Sequence, residues 1–140
     1  MARDFYQLMD HTGDLGIVVR APDRKTLFAN AACAMFDLLC DTEKVHIGVA
    51  ETVHAEGENP ADMLRNWLQM LLVRHTAGKM LYDQFTIMSI TDTHLMAFAE
   101  GEPFDPERHE IYREIKAVTW HQLEYREMLT GCEAQVIFDV

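Results

Sequence analysis

Two stretches of this chain repeat apolar residues at three- and four-residue intervals, the spacing an α-helix needs to turn one face towards a core. After Asp23, the residues Leu27, Phe28, Ala31, Met35, Leu38 and Leu39 make such a stripe. A helix is expected from the Asp23 cap to about Cys40. Asn59-Pro60 then sets a capping side chain before a proline suited to the first helical position. The stripe that follows is Met63, Leu64, Trp67, Leu68, Leu71 and Leu72, and Gly78 marks its expected stop.

The remaining apolar segments are too short for helices and read as strands: residues 5–9, 15–20, 45–55, 81–90, 95–100, 114–126 with a break near His121, and 132–140. Turn chemistry separates them at Asp10-His11-Thr12-Gly13-Asp14, Thr91-Asp92-Thr93 and Leu129-Thr130-Gly131. Two helices set among hairpin-connected strands predict an α+β fold, in the order ββαβα followed by a β meander. Its sheet structure should be largely antiparallel, with the helices covering one face. With 140 residues and no linker or repeat, one domain over residues 1–140 is expected.

Charge narrows the function classes. Twelve Lys and Arg against 23 Asp and Glu give a formal net charge of −11, which repels phosphate backbones, so unassisted nucleic-acid binding is not expected. The same charge suits a basic protein partner or a bound cation. No run of apolar residues reaches the roughly 20 needed to span a bilayer, and no secretory leader is evident, so a soluble, cytoplasmic protein without membrane contact is expected. Cys33, Cys40 and Cys132 are odd in number and form no CxxC pair, which argues against disulfides and for small core residues.

Three segments carry chemistry. Asp10-His11-Thr12-Gly13-Asp14 crowds two carboxylates, an imidazole and a hydroxyl into one connection, although turns favour Asp, Thr and Gly for backbone reasons alone. Strand alternation sets Lys116 on one face with Val118 and Trp120. There it either snorkels to solvent or holds its ammonium against an anion. The strand Gln135-Val136-Ile137-Phe138-Asp139-Val140 runs to the last residue, so Asp139 and the Val140 carboxylate become fixed anionic groups if that strand is tied down. With Asp14 they could supply oxygen ligands to calcium or magnesium, or they are simply solvated acids.

These segments are where the chain resembles the archease family. Asp10-His11-Thr12-Gly13-Asp14-Leu15-Gly16 is similar to its opening motif, and Thr26-Leu27-Phe28 with residues 31–39 resembles its first helix. Ile115-Lys116-Ala117-Val118-Thr119-Trp120-His121 resembles its Val-Lys-Ala-Ile-Thr-Tyr-His segment, and residues 135–140 resemble its closing strand. Gly13 stands where the family usually has Ala, and Trp120 where it has Tyr. The resemblance implies an accessory protein of tRNA splicing, one that stimulates guanylylation and multiple turnover of an RtcB-type RNA ligase and meets RNA only through that ligase. It also implies a divalent cation (calcium first, then magnesium or manganese) on Asp14, Asp139 and Val140. Lys116, Asp14 and Asp139 would activate the partner, with Asp10 and His11 orienting the loop.

Two other function classes fit the residues. A small metal-dependent hydrolase would use His11 as base, although HExxH, a P-loop and GxSxG are absent. A chaperone-like module with broad clients would draw on the nine methionines, although Met35 and Met63 sit on core stripes.

Overall fold

Asp23 opens the first helix as a cap should: its carboxylate accepts the Thr26 N–H at 2.8 Å. Asn59 does the same for the Asp62 N–H at 2.9 Å, with Pro60 in the first helical turn. The computed structural model describes residues 4–11 and 14–140, apart from the side chains of Asp10 and His11. In chain order the elements are β1 (Tyr6–His11), β2 (Asp14–Ala21), α1 (Arg24–Leu39), a 3-10 turn (Thr42–Lys44), β3 (Val49–Glu56) and α2 (Pro60–Thr76). Then follow β4 (Met80–Ile90), β5 (His94–Pro103), β6 (Ala117–Val118), β7 (Glu124–Met128) and β8 (Gly131–Asp139).

Among the described residues all strand pairs are antiparallel, and they form two sheets. One runs β1-β2-β8-β6, with β7 also paired to β8, and the other runs β3-β5-β4. The α+β class and the element order are as expected, and the strands after α2 divide between the sheets. That division explains why α1 is buried beyond its stripe. Ala32, Ala34 and Phe36 are fully buried alongside Leu27, Phe28, Ala31, Met35 and Leu39, because strands of both sheets pack on this helix. α2 keeps a one-sided stripe, and its six expected residues are all buried. Trp67 fixes the helix pair by donating its indole N–H to the Phe28 carbonyl at 3.0 Å.

Two expected strands are shorter than their apolar runs. The 45–55 segment follows the 3-10 turn, which Val45 caps, and reaches strand geometry only at Val49. The 114–126 segment reduces to β6 and β7, because the intervening turn places Gln122 at φ 51° and returns the Leu123 N–H to the Trp120 carbonyl at 3.2 Å. Cys40 and Cys132 are buried, Cys33 is half-buried, and all three are free thiols.

Polar clusters tie the layers together. Arg24, at the start of α1, donates to Asp92 in the β4–β5 turn at 2.9 Å and to Glu127 of β7 at 2.8 Å, so one side chain joins the two sheets. Glu102 of β5 accepts from both ends of Arg108, at 2.6 and 3.1 Å, and from the His46 N–H at 2.7 Å. His109 is buried, with Nδ1 accepting the Asp105 N–H at 2.8 Å, so its Nε2–H donates to Glu102 at 2.8 Å.

The Arg108 guanidinium, with these further donors, holds the Glu102 carboxyl down to about 2 from its ordinary 4.5. A depressed carboxyl contributes stability above its unfolded value, and that contribution is lost as pH falls through the folded value. Unfolding free energy should therefore drop between about pH 4.5 and 2 in the native protein. Glu102→Gln should be less stable at neutral pH and show a shallower acid slope, measured by urea titration across that window.

Candidate functional site

The antiparallel register of β2 on β8 sets Asp14 directly opposite Asp139. Residues so paired send their side chains to the same face, with Cβ atoms about 5 Å apart, so two carboxylates from distant parts of the chain share one end of the sheet. On the other side of β8, Asp139 faces Ala117 of β6, and its carbonyl accepts the Lys116 N–H at 2.7 Å. Val140 follows Asp139 and is 36% exposed. Asp14, Asp139, Val140 and Lys116 are thus brought to one corner.

Lys116 sits differently from the alternation reading. It precedes the two-residue strand β6 and is exposed, whereas Val118 is fully buried and Trp120 lies beyond the strand. The backbone around it is pinned by the buried Ile115 and Val118 on either side, so the lysine stem projects from a fixed base. Asp10 and His11 close β1, and His11 pairs with Asp14 along the backbone. Only Thr12 and Gly13 separate the strands, so the expected five-residue turn is mostly strand. The side chains of Asp10 and His11, with Thr12 and Gly13, lie outside the described residues.

Like charges directly opposite one another in a sheet destabilise it, so this pair has no value to the fold as a contact. Its chemistry suits a hard cation, which takes carboxylate and carbonyl oxygens. Among the described residues no group of three or more His, Cys, Asp or Glu side chains converges as a metal cage. A cation on Asp14 and Asp139 would draw further oxygens from the Val140 main chain and from water.

The brace behind the corner was not legible in the spacing. β6 is an edge strand, and side chains of α2 take up its outer hydrogen bonds. The Gln69 carbonyl accepts the Val118 N–H at 2.9 Å, and Arg65 Nε donates to the Val118 carbonyl at 2.8 Å. Arg65 also lies over the Trp120 ring, 3.6 Å from its centroid, and the indole N–H donates to Asp62 at 3.0 Å. Burial lowers the Arg65 pKa from its ordinary value. The donor hydrogen bond from Glu58 N–H and then that from Trp120 pull Asp62 below the usual carboxylate range. One signal was available: Arg65 and Gln69 are one helical turn apart beside the α2 stripe.

Among the described residues no helix is long and apolar enough to cross a membrane. The solution structure of Methanobacterium thermoautotrophicum protein 1598 superposes with a TM-score of 0.81 at 30% identity, covering 97% of this chain and 99% of that one. The crystal structure of an archease from Thermotoga maritima, described as a possible chaperone, has a TM-score of 0.64 at 14% identity and shares the fold. Protein archease of Methanosarcina acetivorans is 33% identical over 139 residues, 96% of this chain and 95% of its own. Its counterpart in Pyrococcus abyssi is 33% identical over 136 residues, 94% of this chain and 95% of its own. The archease protein family model (MTH1598/TM1083) matches residues 6–140, so the segments that resembled the family at both ends lie within one continuous match, and the chain belongs to the archease family.

Proposed function

We propose that this protein is an accessory of an RtcB-type RNA ligase in tRNA splicing, raising the ligase's guanylylation and turnover, and has no substrate of its own. The observation that carries the reading is the corner in which Asp14 faces Asp139 and the Lys116 N–H closes on the Asp139 carbonyl. Asp14 and Asp139, with an oxygen of Val140, would hold a divalent cation, calcium in preference to magnesium or manganese as the family resemblance implies, through the oxygen ligands that hard cations take. Such a cation, when bound, supplies Lewis-acid charge for phosphate oxygens. Lys116, exposed and set on a pinned backbone, offers an ammonium to the same phosphates.

The net charge of −11 supports a basic, RNA-binding partner and argues against direct contact with RNA, so RNA is reached through the ligase. The test is guanylylation of a cognate ligase, at limiting ligase concentration, with and without this protein. Faster guanylylation and more than one turnover are expected. An unchanged rate would remove the reading, and turnover of phosphate esters by the protein alone with added metal would favour hydrolysis in its place. A pull-down that returns many unrelated clients rather than one ligase would favour the chaperone-like module.

A further inference from the structure

We infer that the Arg65–Trp120 stack is the apolar anchor of the ligase-docking surface, an inference that rests on the reading just given. Trp120 is 58% exposed, whereas Trp67, the other tryptophan of the chain, is fully buried. An exposed indole normally costs rotamer entropy when a partner immobilises it, but here that freedom is already removed. Arg65 covers one ring face at 3.6 Å, Asp62 holds the indole N–H at 3.0 Å, and the turn through Gln122 fixes the backbone. Arg65 is itself held by the Val118 carbonyl at 2.8 Å, Asn66 at 3.1 Å and Gln69 at 3.4 Å. These contacts use the inner face and the edge of the ring. The outer face is left rigid and open, which is how a binding anchor is prepared and not what packing requires.

The chemistry of the occupant follows from the surroundings. A guanidinium already uses one face of the π system, so a second cation on the other face meets like charge, and an apolar or planar uncharged side chain is preferred. The acids tied to the ring, Asp62 of α2, which holds the indole N–H, and Glu58, whose backbone N–H Asp62 also accepts, suit basic side chains. The partner is therefore a protein surface with an apolar pocket inside a basic border. A nucleic-acid strand fits less well, because its phosphates would meet these acids and a net charge of −11.

The test is binding of the full-length protein to the cognate ligase by interferometry. Trp120→Ala should weaken affinity by roughly 30-fold or more, mainly through faster dissociation, at a temperature where circular dichroism shows the variant fully folded, while Trp120→Phe keeps most of the affinity. In parallel, the protein carrying fluorotryptophan at Trp67 and Trp120 should shift only its Trp120 resonance when unlabelled ligase is added, a readout that needs no substitution. Wild-type binding with Trp120→Ala within twofold of it, or an unmoved Trp120 resonance, would overturn the anchor and leave the ligase reading standing. A wild type that does not bind would overturn the ligase reading and the anchor with it. Capture of single-stranded oligonucleotide by the free protein, lost in Trp120→Ala, would overturn the protein-docking assignment.

Discussion

Gly101→Ala is expected to leave little or no folded protein. A Cβ at this position would stand 1.8 Å from the Leu81 carbonyl oxygen and 2.7 Å from the Tyr82 Cα, both of them backbone atoms. Relief would require one strand to withdraw, but β5 is the centre of its sheet: Gly101 faces Val49 of β3 on one side and Tyr82 of β4 on the other. The ladder on the β4 side already shifts register between Tyr82 and Gln84, and the irregularity sits where the chains lie closest. Losing the local ladder and its core contacts costs on the order of 4–5 kcal/mol, comparable with the whole stability of many domains. Gly16→Ala is the control. There the clash, at 2.7 Å, is with Ile137 Cδ1, the far end of a flexible side chain that can change rotamer. A cost of about 1–2 kcal/mol is expected. Urea titration of both variants, followed by circular dichroism, separates the cases; a cooperative Gly101→Ala transition close to wild type would show that the strands can part.

The same contrast shows what the chain's order of residues could and could not convey. Helix limits were legible because the signals are local: Asp23, Asn59 and Pro60 act within one turn, and the apolar stripes are a property of the helices themselves. Strand existence was legible for the same reason. The split into two sheets was not, since a strand such as β5 carries no local mark of whether it pairs with β4 or with β8. The extra burial of Ala32, Ala34 and Phe36 follows from that split and was invisible with it. Gly101 lies just past the expected strand 95–100, yet belongs to β5, and it carries no local mark, because its constraint is the backbone of another strand. At the site, Asp14, Asp139, Val140 and Lys116 were nominated by residue type and resemblance, and their meeting is a matter of register. The Arg65–Trp120 brace spans 55 residues of chain and depends on α2 lying beside β6. Lys116 was set on the Val118 face by a strict alternation that a strand of two residues cannot sustain.

Asp139→Asn is expected to move stability and function in opposite directions, and that opposition separates a cation site from a structural pair. In chelator, the substitution replaces one of two facing carboxylates by a neutral side chain of the same shape. Removing the repulsion should stabilise the protein by a few tenths to about 1 kcal/mol. With calcium added, the native protein should gain about 2.7 kcal/mol at a hundredfold excess over its dissociation constant, while the variant gains almost nothing. In the guanylylation assay the variant should fall to the rate of ligase alone. Asp14→Asn should copy it in all three measurements, because the two residues face each other across one ladder. Lys116→Ala divides the corner further: its ammonium is not a metal ligand, so the calcium response should survive while stimulation is lost. If Asp139→Asn were less stable in chelator and still stimulated the ligase, the carboxylates would be serving the fold, and the corner could not be the part of this protein that acts on its partner.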